Sequence, residues 1–261
     1  MTDAIDHVTL FGERNGAPPV VLGHAVTTDR STVEPTAVLL GRDRHVLTWD
    51  ARGHGGRSAP EGGFSYADLA GDLLAVLDHF EIESAVVGGV SQGAFVALEL
   101  GLAHAERVAG LVLIACQAAT EPPEVIPPQR AAVRRWAAEG LDHAHAHWMA
   151  EMNFGADHPG NPAWVEYWMA RDGSLYIEAF EALFNRPDRR ADLRRVRAPA
   201  LVIRGENDGW ISAERATELA DGLTGAGPLV TIPGAAHIPT LTHPVEVAAT
   251  IGSFLEDMDT R

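Results

Sequence analysis

The chain has 261 residues, a hydrophobic content of 46%, a charged content of 21% and a formal net charge of −16 at pH 7. This composition is typical of a folded globular protein with one large core, and it excludes an intrinsically disordered chain. The negative charge would repel a phosphate backbone, which excludes nucleic acid as a partner, and no apolar run is long enough to cross a bilayer, which excludes a membrane-spanning protein.

Short β-branched runs alternate with amphipathic stretches rich in alanine and leucine along most of the chain. This alternation predicts a mostly parallel, doubly wound α/β sheet, and the nearly continuous apolar runs indicate strands that are covered on both faces. The predicted strands are 7–13, 19–23, 45–50, 85–89, 108–115, 200–204 and 229–232. The predicted helices between and after them are 65–80, 92–104, 212–223 and 245–258.

The alternation stops after Cys116 and resumes near residue 196. Two Pro-Pro pairs follow the break, and the pattern from there is helical. We interpret residues 117–195 as a helical cap inserted into an α/β core that consists of residues 1–116 and 196–261. This insertion contains four of the six tryptophans, which is more aromatic surface than a solvated connection needs: Trp136, Trp148, Trp164 and Trp168.

The segment Gly89-Val90-Ser91-Gln92-Gly93 follows a predicted apolar strand and begins a predicted helix. A serine at such a sharp strand-to-helix turn is presented as a nucleophile, and glycines on either side avoid steric crowding. The alternative is a glycine-rich turn with an ordinary surface serine. The position between strand and helix favours Ser91 as a catalytic nucleophile.

A serine hydroxyl is a weak nucleophile at neutral pH, so it needs a base and an acid that orients the base. Asp208 follows one predicted strand and His237 follows the next, and loops at the carboxyl ends of neighbouring parallel strands converge on one edge of a sheet. We therefore predict the triad Ser91, Asp208 and His237. Glu206 and His243 are the rival acid and base, but Asp208 has the better position after its strand and His243 stands at a predicted helix start.

Attack on a carbonyl also requires donors for the oxyanion. One predicted donor is the backbone N–H of Gln92, at a helix N-terminus where unpaired N–H groups favour negative charge. The other is the N–H of Val26 in the loop after strand 19–23, with Ala25 as the alternative. The glycine-rich segment 49–58 predicts a hydrogen-bonded loop that braces the site, and His54 within it is given a structural role.

The aromatic side chains of the insertion predict an apolar or aromatic acyl pocket. The alternative is that the tryptophans only pack the insertion onto the core. Arg130, Arg134 and Arg135 could hold a substrate carboxylate, although an arginine-rich helix face is more often solvated. The predicted substrate contacts are Ala25, Trp136, Trp148, Trp164, Trp210 and Ile238.

His143 and His147 would share one face of a helix, with His145 between them, as in some zinc sites. No acidic metal-binding pattern completes the set, so we expect helix histidines and no metal. The opening residues 1–6 lack the basic and apolar parts of a secretory signal, and the single cysteine fits a reducing compartment. These features predict a cytoplasmic protein, whereas no pattern indicates its oligomeric state.

The motifs, taken in order, resemble the α/β-hydrolase family over nearly the whole chain. They are the turn 89–93, Asp-x-Arg-Gly-His-Gly at 50–55, Gly-Glu-Asn-Asp at 205–208 and Gly-Ala-Ala-His at 234–237. Within the enol-lactonase-like and general esterase branch, residues 20–29 look most like the 3-oxoadipate enol-lactonase-like hydrolases. General esterases more often carry His-Gly where this chain has His24-Ala25. Three features depart from the family pattern: an additional residue in the loop before Ser58, Thr242 in place of a common glutamate, and a short first strand.

The resemblance implies an α/β-hydrolase fold with a cap and hydrolysis of a small ester or lactone without a metal or organic cofactor. The same triad serves enzymes that hydrolyse a C–C bond beside a ketone and haloperoxidase-like perhydrolases. A hydrolase-fold protein that binds a ligand without turnover is an alternative of a different class. Epoxide- and haloalkane-type enzymes carry aspartate at the position of Ser91, which disfavours them here.

Overall fold

The computed structural model describes residues 5–58 and 62–260, so four of the six residues used to predict a cytoplasmic location lie outside it. The described residues form a seven-stranded sheet in the order β1-β3-β2-β4-β5-β6-β7. Only the short first strand runs antiparallel to its neighbour. The strands are β1 Val8–Phe11, β2 Val20–Gly23, β3 Val46–Trp49, β4 Ala85–Val90, β5 Val108–Ile114, β6 Ala200–Gly205 and β7 Val230–Ile232. The predicted mostly parallel sheet is therefore confirmed.

Helices cover both faces of this sheet. The helices of the core are α1 Glu34–Leu40, α2 Tyr66–His79, α3 Gln92–Ala103, α8 Ala213–Gly222, α9 Pro239–Thr242 and α10 Pro244–Asp259. Helix α2 begins at a capping box in which Ser65 and Asp68 satisfy each other's backbone N–H groups. The sequence pattern did not predict α1, because this short helix carries Pro35 in its first turn and has too few turns for a clear period.

Alternate residues of the central strands enter two separate apolar layers. Val21 and Val87 pack with α2, α3 and α8 on one face, whereas Val20 and Leu22 pack with α1 and α10 on the other. Successive side chains of a strand point to opposite faces, so a strand covered on both sides must be apolar throughout. This is the physical reason for the continuous apolar runs in the sequence.

Residues 115–199, all of which the structure describes, hold four α-helices and two short 3₁₀ helices between β5 and β6. The α-helices are α4 Ile126–Glu139, α5 His143–Phe154, α6 Asn161–Met169 and α7 Ile177–Phe184. Trp168 and Tyr176 are fully buried among them. In the part of the chain that the structure describes, every helix is too short or too polar to cross a bilayer.

The register of the strands brings several loops to one edge of the sheet. Gly23 at the end of β2 lies opposite Gly89 in β4, and Gly205 at the end of β6 lies opposite Ile232 at the end of β7. Because these strands are parallel, the segments that follow their carboxyl ends converge. The predicted triad and the predicted oxyanion donors lie in the segments after β2, β4, β6 and β7.

Candidate active site

Ser91 lies at the turn between β4 and α3 with a backbone φ of 50° and ψ of −107°. A residue with a side chain rarely adopts this left-handed region, and such strain persists only where the surroundings enforce it. The N–H of Ser91 donates to the Ile114 oxygen of β5 at 2.9 Å, and the residues on either side of the turn pack against the backbone of β2. A Cβ atom at position 89 would lie 2.1 Å from the Gly23 oxygen, and one at position 93 would lie 2.4 Å from the same oxygen. Both flanking glycines are therefore required by the close approach of Gly23.

Asp208 and His237 are brought together as a hydrogen-bonded pair. His237 Nδ1 lies 2.9 Å from Asp208 Oδ1, and both side chains are buried. The same carboxylate oxygen accepts the backbone N–H groups of Trp210 and Ile211 at 2.9 and 3.1 Å. Burial raises the pKa of Asp208, but the charge and hydrogen bond of His237 outweigh it and the pKa is lowered. The ionised carboxylate can only accept, so the Nδ1 atom of His237 carries the proton and its Nε2 atom is free to act as a base.

The rival acid and base point elsewhere. Glu206 Oε2 accepts the backbone N–H of Gly234 at 2.8 Å, so this carboxylate holds the loop after β7. His243 Nδ1 lies 2.8 Å from the Thr242 hydroxyl. Neither side chain takes part in the contact between Asp208 and His237.

The loop after β2 fixes the direction of the Val26 N–H. The carbonyl oxygen of Ala25 accepts from the backbone N–H of Thr28 at 3.2 Å and from its hydroxyl at 2.8 Å. In a planar trans peptide the N–H of the next residue points the opposite way from that carbonyl. The N–H of Gly93 in α3 donates to the His24 oxygen at 3.0 Å, which ties this loop to the turn at Ser91. Among the described residues, neither Val26 nor Gln92 donates its backbone N–H to a protein acceptor.

Two buried histidines, His24 of this loop and His54 of the segment 49–58, link the two segments, and His54 has the structural role that the sequence predicts. His54 Nε2 accepts the Thr27 N–H at 3.3 Å, and His24 Nε2 accepts the Ala51 N–H at 3.0 Å. The Nδ1–H group of His54 donates to the Arg52 carbonyl oxygen, and that of His24 donates to the Ala25 carbonyl oxygen, both at 2.8 Å. Burial lowers the pKa of His24 and lowers that of His54 to about 3. Both rings are therefore neutral and act as hydrogen-bonded struts.

A cavity of about 600 Å³ lies beside Ser91 and His237. Ser91 and His237 both line it, together with Ala25 and Val26 from the loop after β2. Its outer wall comes largely from α4, α5 and α7. The aromatic and aliphatic side chains of the wall are Phe95, Val125, Val133, Trp136, Leu141, Trp148, Met149, Met152, Phe180, Leu183, Trp210 and Ile211.

The matching protein family is described as the alpha/beta hydrolase family, and its model covers residues 20–250. The chain belongs to the alpha/beta hydrolase family.

Known proteins of this family resemble the chain over most of its length. A solved enol-lactonase from Burkholderia xenovorans LB400 superposes with a TM-score of 0.86 at 30% identity, covering 96% of both chains. The 3-oxoadipate enol-lactonase 2 of Acinetobacter baylyi is 26% identical over 206 residues, which are 78% of this chain and 76% of that protein. Epoxide hydrolase A of Mycobacterium tuberculosis is 27% identical over 300 residues, covering 94% of this chain and 92% of the relative. These relatives identify the chain as a hydrolase and confirm the resemblance seen in its motifs.

Two of the departures from the alpha/beta hydrolase pattern make local hydrogen bonds in the structure. Arg57, the additional residue before Ser58, is buried. Its guanidinium donates to the backbone carbonyl oxygen of Asp50 at 3.1 Å and to the Asp72 carboxylate at 2.9 Å. It therefore helps to hold its loop against α2. Thr242 donates to the Ile238 oxygen at 3.4 Å in the short helix α9.

Two predicted substrate contacts of this alpha/beta hydrolase are not among the residues that line the cavity. Trp164 packs instead against Phe154 and Trp168, with ring centroids 5.3 and 5.6 Å apart. Ile238 is fully buried in the core, because the chain turns inward directly after His237. Trp164 therefore fits the alternative that a tryptophan only packs the insertion.

The sequence interpretation missed the face of α5 that lines the cavity. His145, Met149 and Met152 lie along it with Trp148, at helical spacings of three and four. This spacing was present in the sequence, but alanines and histidines alternate at the start of α5, so the sequence pattern does not single out one apolar face. Only the packing of α5 against its neighbours selects the face that is turned inward.

The arginines of α4 are engaged away from the cavity. Arg130 forms two hydrogen bonds of 2.7 Å with the Glu181 carboxylate, and Arg134 lies 3.9 Å from it. Arg135 is exposed. In the part of the chain that the structure describes, no arginine lines the cavity. The structure thus gives no support to an arginine site for a substrate carboxylate.

The histidines of α5 do not form a metal cluster. The rings of His143 and His147 lie 6.2 Å apart, and His147 lies 3.3 Å from Glu151. Within residues 5–58 and 62–260, no group of three or more His, Cys, Asp or Glu side chains could hold a metal ion. His145 instead lines the cavity.

Proposed function

We propose that this hydrolase cleaves a neutral ester or lactone with a small apolar or aromatic acyl group, through a triad of Ser91, His237 and Asp208. One observation carries the proposal. Ser91 and His237 line the same apolar cavity of about 600 Å³, and His237 is hydrogen-bonded to the buried Asp208. A nucleophile, an oriented base and room for a small acyl group are the parts that acyl transfer requires.

The reaction proceeds in two halves. Ser91 Oγ attacks the substrate carbonyl carbon while His237 Nε2 takes the hydroxyl proton, and Asp208 stabilises the imidazolium. The N–H groups of Val26 and Gln92 bind the oxyanion, after which the C–O bond breaks and His237 returns the proton to the departing alcohol oxygen. Water, deprotonated by His237, then attacks the acyl-serine ester. The bond between the acyl carbon and Ser91 Oγ breaks, His237 returns the proton to Oγ, and the carboxylic acid leaves.

The charge of the cavity favours a neutral substrate. Of its described lining residues, Glu121 is the acidic one, and its carboxylate lies 3.4 Å from Arg215, which does not reach the wall. A substrate carboxylate in this cavity would lose its hydration without gaining a cationic partner, which costs several kcal/mol. The proposed substrate therefore differs from the negatively charged one in the name of the enol-lactonase relatives.

The nucleophile also argues against epoxide hydrolysis, the activity in the name of the Mycobacterium tuberculosis relative. Attack by a carboxylate on an epoxide gives an ester, which water can cleave. Attack by the Ser91 hydroxyl would give an ether, which has no carbonyl carbon for the activated water to attack. A carbonyl substrate instead gives an acyl-serine ester, which water can hydrolyse.

We further propose that residues 117–195 act as a cap over a core made of 1–116 and 196–261. Side chains of α4, α5 and α7 form most of the cavity wall, whereas the groups proposed for chemistry come from the core. This division assigns substrate selection to the cap and bond breaking to the core.

The proposal is tested with Ser91→Ala and a matched pair of substrates, 4-nitrophenyl butyrate and mono-4-nitrophenyl succinate. We expect the wild type to prefer the neutral ester in kcat/KM by at least about tenfold, because the carboxylate loses its hydration. Ser91→Ala should lower kcat by about 10⁴-fold or more with an unchanged melting temperature.

Undiminished turnover by the folded Ser91→Ala variant would contradict the triad. Equal rates on the two esters would contradict only the neutral substrate class. Labelling by a fluorophosphonate separates an enzyme from a binding protein without turnover, since only an activated Ser91 reacts with it.

A further inference from the structure

Helices α5 and α6 contact three of the four core segments that carry the proposed catalytic groups, namely the loops after β2, β6 and β7. In the loop after β7, the Ile238 N–H donates to the Asn153 oxygen of α5 at 2.9 Å. In the loop after β6, Met152 of α5 lies so close to Gly209 that a Cβ atom there would be 2.5 Å from its methyl carbon. In the loop after β2, the contact is a hydrogen bond from Trp168 of α6. These helices therefore do more than cover the cavity.

The contact of Trp168 is the most closely defined of the three. Its indole Nε1–H donates to the Thr27 carbonyl oxygen at 2.8 Å, and the side chain is fully buried. The ring is stacked on Phe154 with an interplanar angle of 6° and a centroid distance of 6.1 Å, so it has little freedom to move. Tyr167, the neighbouring residue, donates its hydroxyl to the Asp29 carboxylate at 2.8 Å in the same loop.

Thr27 needs such support because its backbone is strained. Its φ is 68°, a left-handed value that is unfavourable for a β-branched residue. Its N–H is held by His54 at 3.3 Å and its carbonyl by Trp168 at 2.8 Å. The peptide groups on both sides of Thr27 are thus fixed, one by the core and one by α6. Val26, the residue immediately before it, carries the proposed oxyanion donor.

We infer that Trp168 is a positioning residue for the oxyanion hole, through which α6 holds the Val26 N–H in its working direction. The inference rests on the proposed function. An oxyanion donor interacts more strongly with the transition state than with the substrate, so its misalignment lowers kcat and leaves KM nearly unchanged. The same misalignment weakens any inhibitor that presents a tetrahedral oxyanion.

The experiment compares Trp168→Phe with Trp164→Phe, since both change a tryptophan of one aromatic cluster to a ring without an N–H. The measurements are kcat and KM on 4-nitrophenyl butyrate and the inhibition constant of an alkyl trifluoromethyl ketone, which adds Ser91 to form a hemiketal oxyanion. We expect Trp168→Phe to lower kcat about tenfold with KM within about twofold, and to raise the inhibition constant by a similar factor. Trp164→Phe should stay within about twofold of the wild type in all three.

An unchanged kcat and inhibition constant in a folded Trp168→Phe variant would overturn the inference, as would an equal loss in Trp164→Phe. If Trp168→Phe does not fold, Tyr167→Phe removes the bond to Asp29 at a less buried position. It should lower kcat severalfold at constant KM, and wild-type values would refute the role of α6. Failure of the proposed function would appear separately, as a wild-type activity that survives Ser91→Ala.

Discussion

At the residue scale, the orientation of Asp208 depends on the hydrogen bonds that its Oδ1 atom accepts. Oδ1 receives three donors, one from His237 and two from the backbone at 210 and 211. The two backbone bonds fix the carboxylate relative to its own loop, and the third transmits this orientation to the imidazole. The sequence placed Asp208 correctly after its strand, but it could not show that the backbone N–H groups of Trp210 and Ile211 complete the arrangement.

Replacing Asp208 with Asn should leave the fold intact and lower kcat by about 10³- to 10⁴-fold, because the amide can stabilise the wrong tautomer of His237 and cannot offset the imidazolium charge. Steady-state kinetics on 4-nitrophenyl butyrate measure this effect. Glu206→Gln is the matched control, since Glu206 is the rival acid, and it should retain kcat within about twofold. A larger loss in Glu206→Gln than in Asp208→Asn would reverse the assignment.

At the element scale, the turn between β4 and α3 depends on how closely it approaches β2. Gly23, Gly89 and Gly93 form a backbone contact in which side chains have no room. The sequence pattern identified the glycines at 89 and 93 but not their partner. That partner lies in another strand, and only the register of β2 against β4 places it there.

Gly93→Ala tests this contact against Gly101→Ala in the same helix. A Cβ at 93 would lie 2.4 Å from the Gly23 backbone, whereas one at 101 would meet the Leu111 side chain at an ordinary 3.4 Å. We expect Gly93→Ala to lower the free energy of unfolding by about 1–3 kcal/mol through overpacking. Gly101→Ala should be neutral or stabilising by up to about 1 kcal/mol, from helix propensity. Urea denaturation measures the free energy of unfolding of both variants. Equal values would contradict the prediction, because they would show that the backbone of β2 can shift without a loss of stability.

At the scale of the whole molecule, the two neutral histidines of the bracing loop couple stability to pH. Burial lowers the pKa of His54 from 6.5 to about 3, and it lowers the pKa of His24 in the same direction. Above pH 6.5 each ring is neutral in both the folded and the unfolded chain. Below it, the unfolded chain binds protons that the folded chain does not, so stability is lost as the pH falls.

For His54 this loss should approach about 1.4 kcal/mol per pH unit between roughly pH 6.5 and 3. His54→Gln keeps an acceptor for the Thr27 N–H but cannot be protonated, so its free energy of unfolding should depend less on pH. Urea denaturation at pH 7, 6, 5 and 4 measures the slope. His143→Gln, at an exposed position of α5, is the control and should match the wild type. An identical slope in His54→Gln would contradict the assignment.

The core could be predicted from the sequence further than the insertion could. The seven strands follow from apolar runs such as 85–89, and the order of Ser91, Asp208 and His237 follows from their positions after strands, because both signals are local. Trp164 and Ile238 do not line the cavity, for different reasons. The direction of Trp164 in its helix depends on which neighbours it meets, and that of Ile238 depends on the turn of the chain after His237. The inward face of α5 was missed for the same reason that applies to Trp164.

The loop contacts of α5 and α6 bear on how such an enzyme could be redesigned. If a new specificity were sought by exchanging the whole proposed cap with the matching segment of a relative, the chimaera would lose the contacts of Trp168, Met152 and Asn153 with the core. Helices α4 and α7 supply Val133, Trp136, Phe180 and Leu183 to the cavity wall. An exchange confined to these two helices would change the shape of the cavity and leave in place the contacts with the loops that carry the proposed catalytic groups.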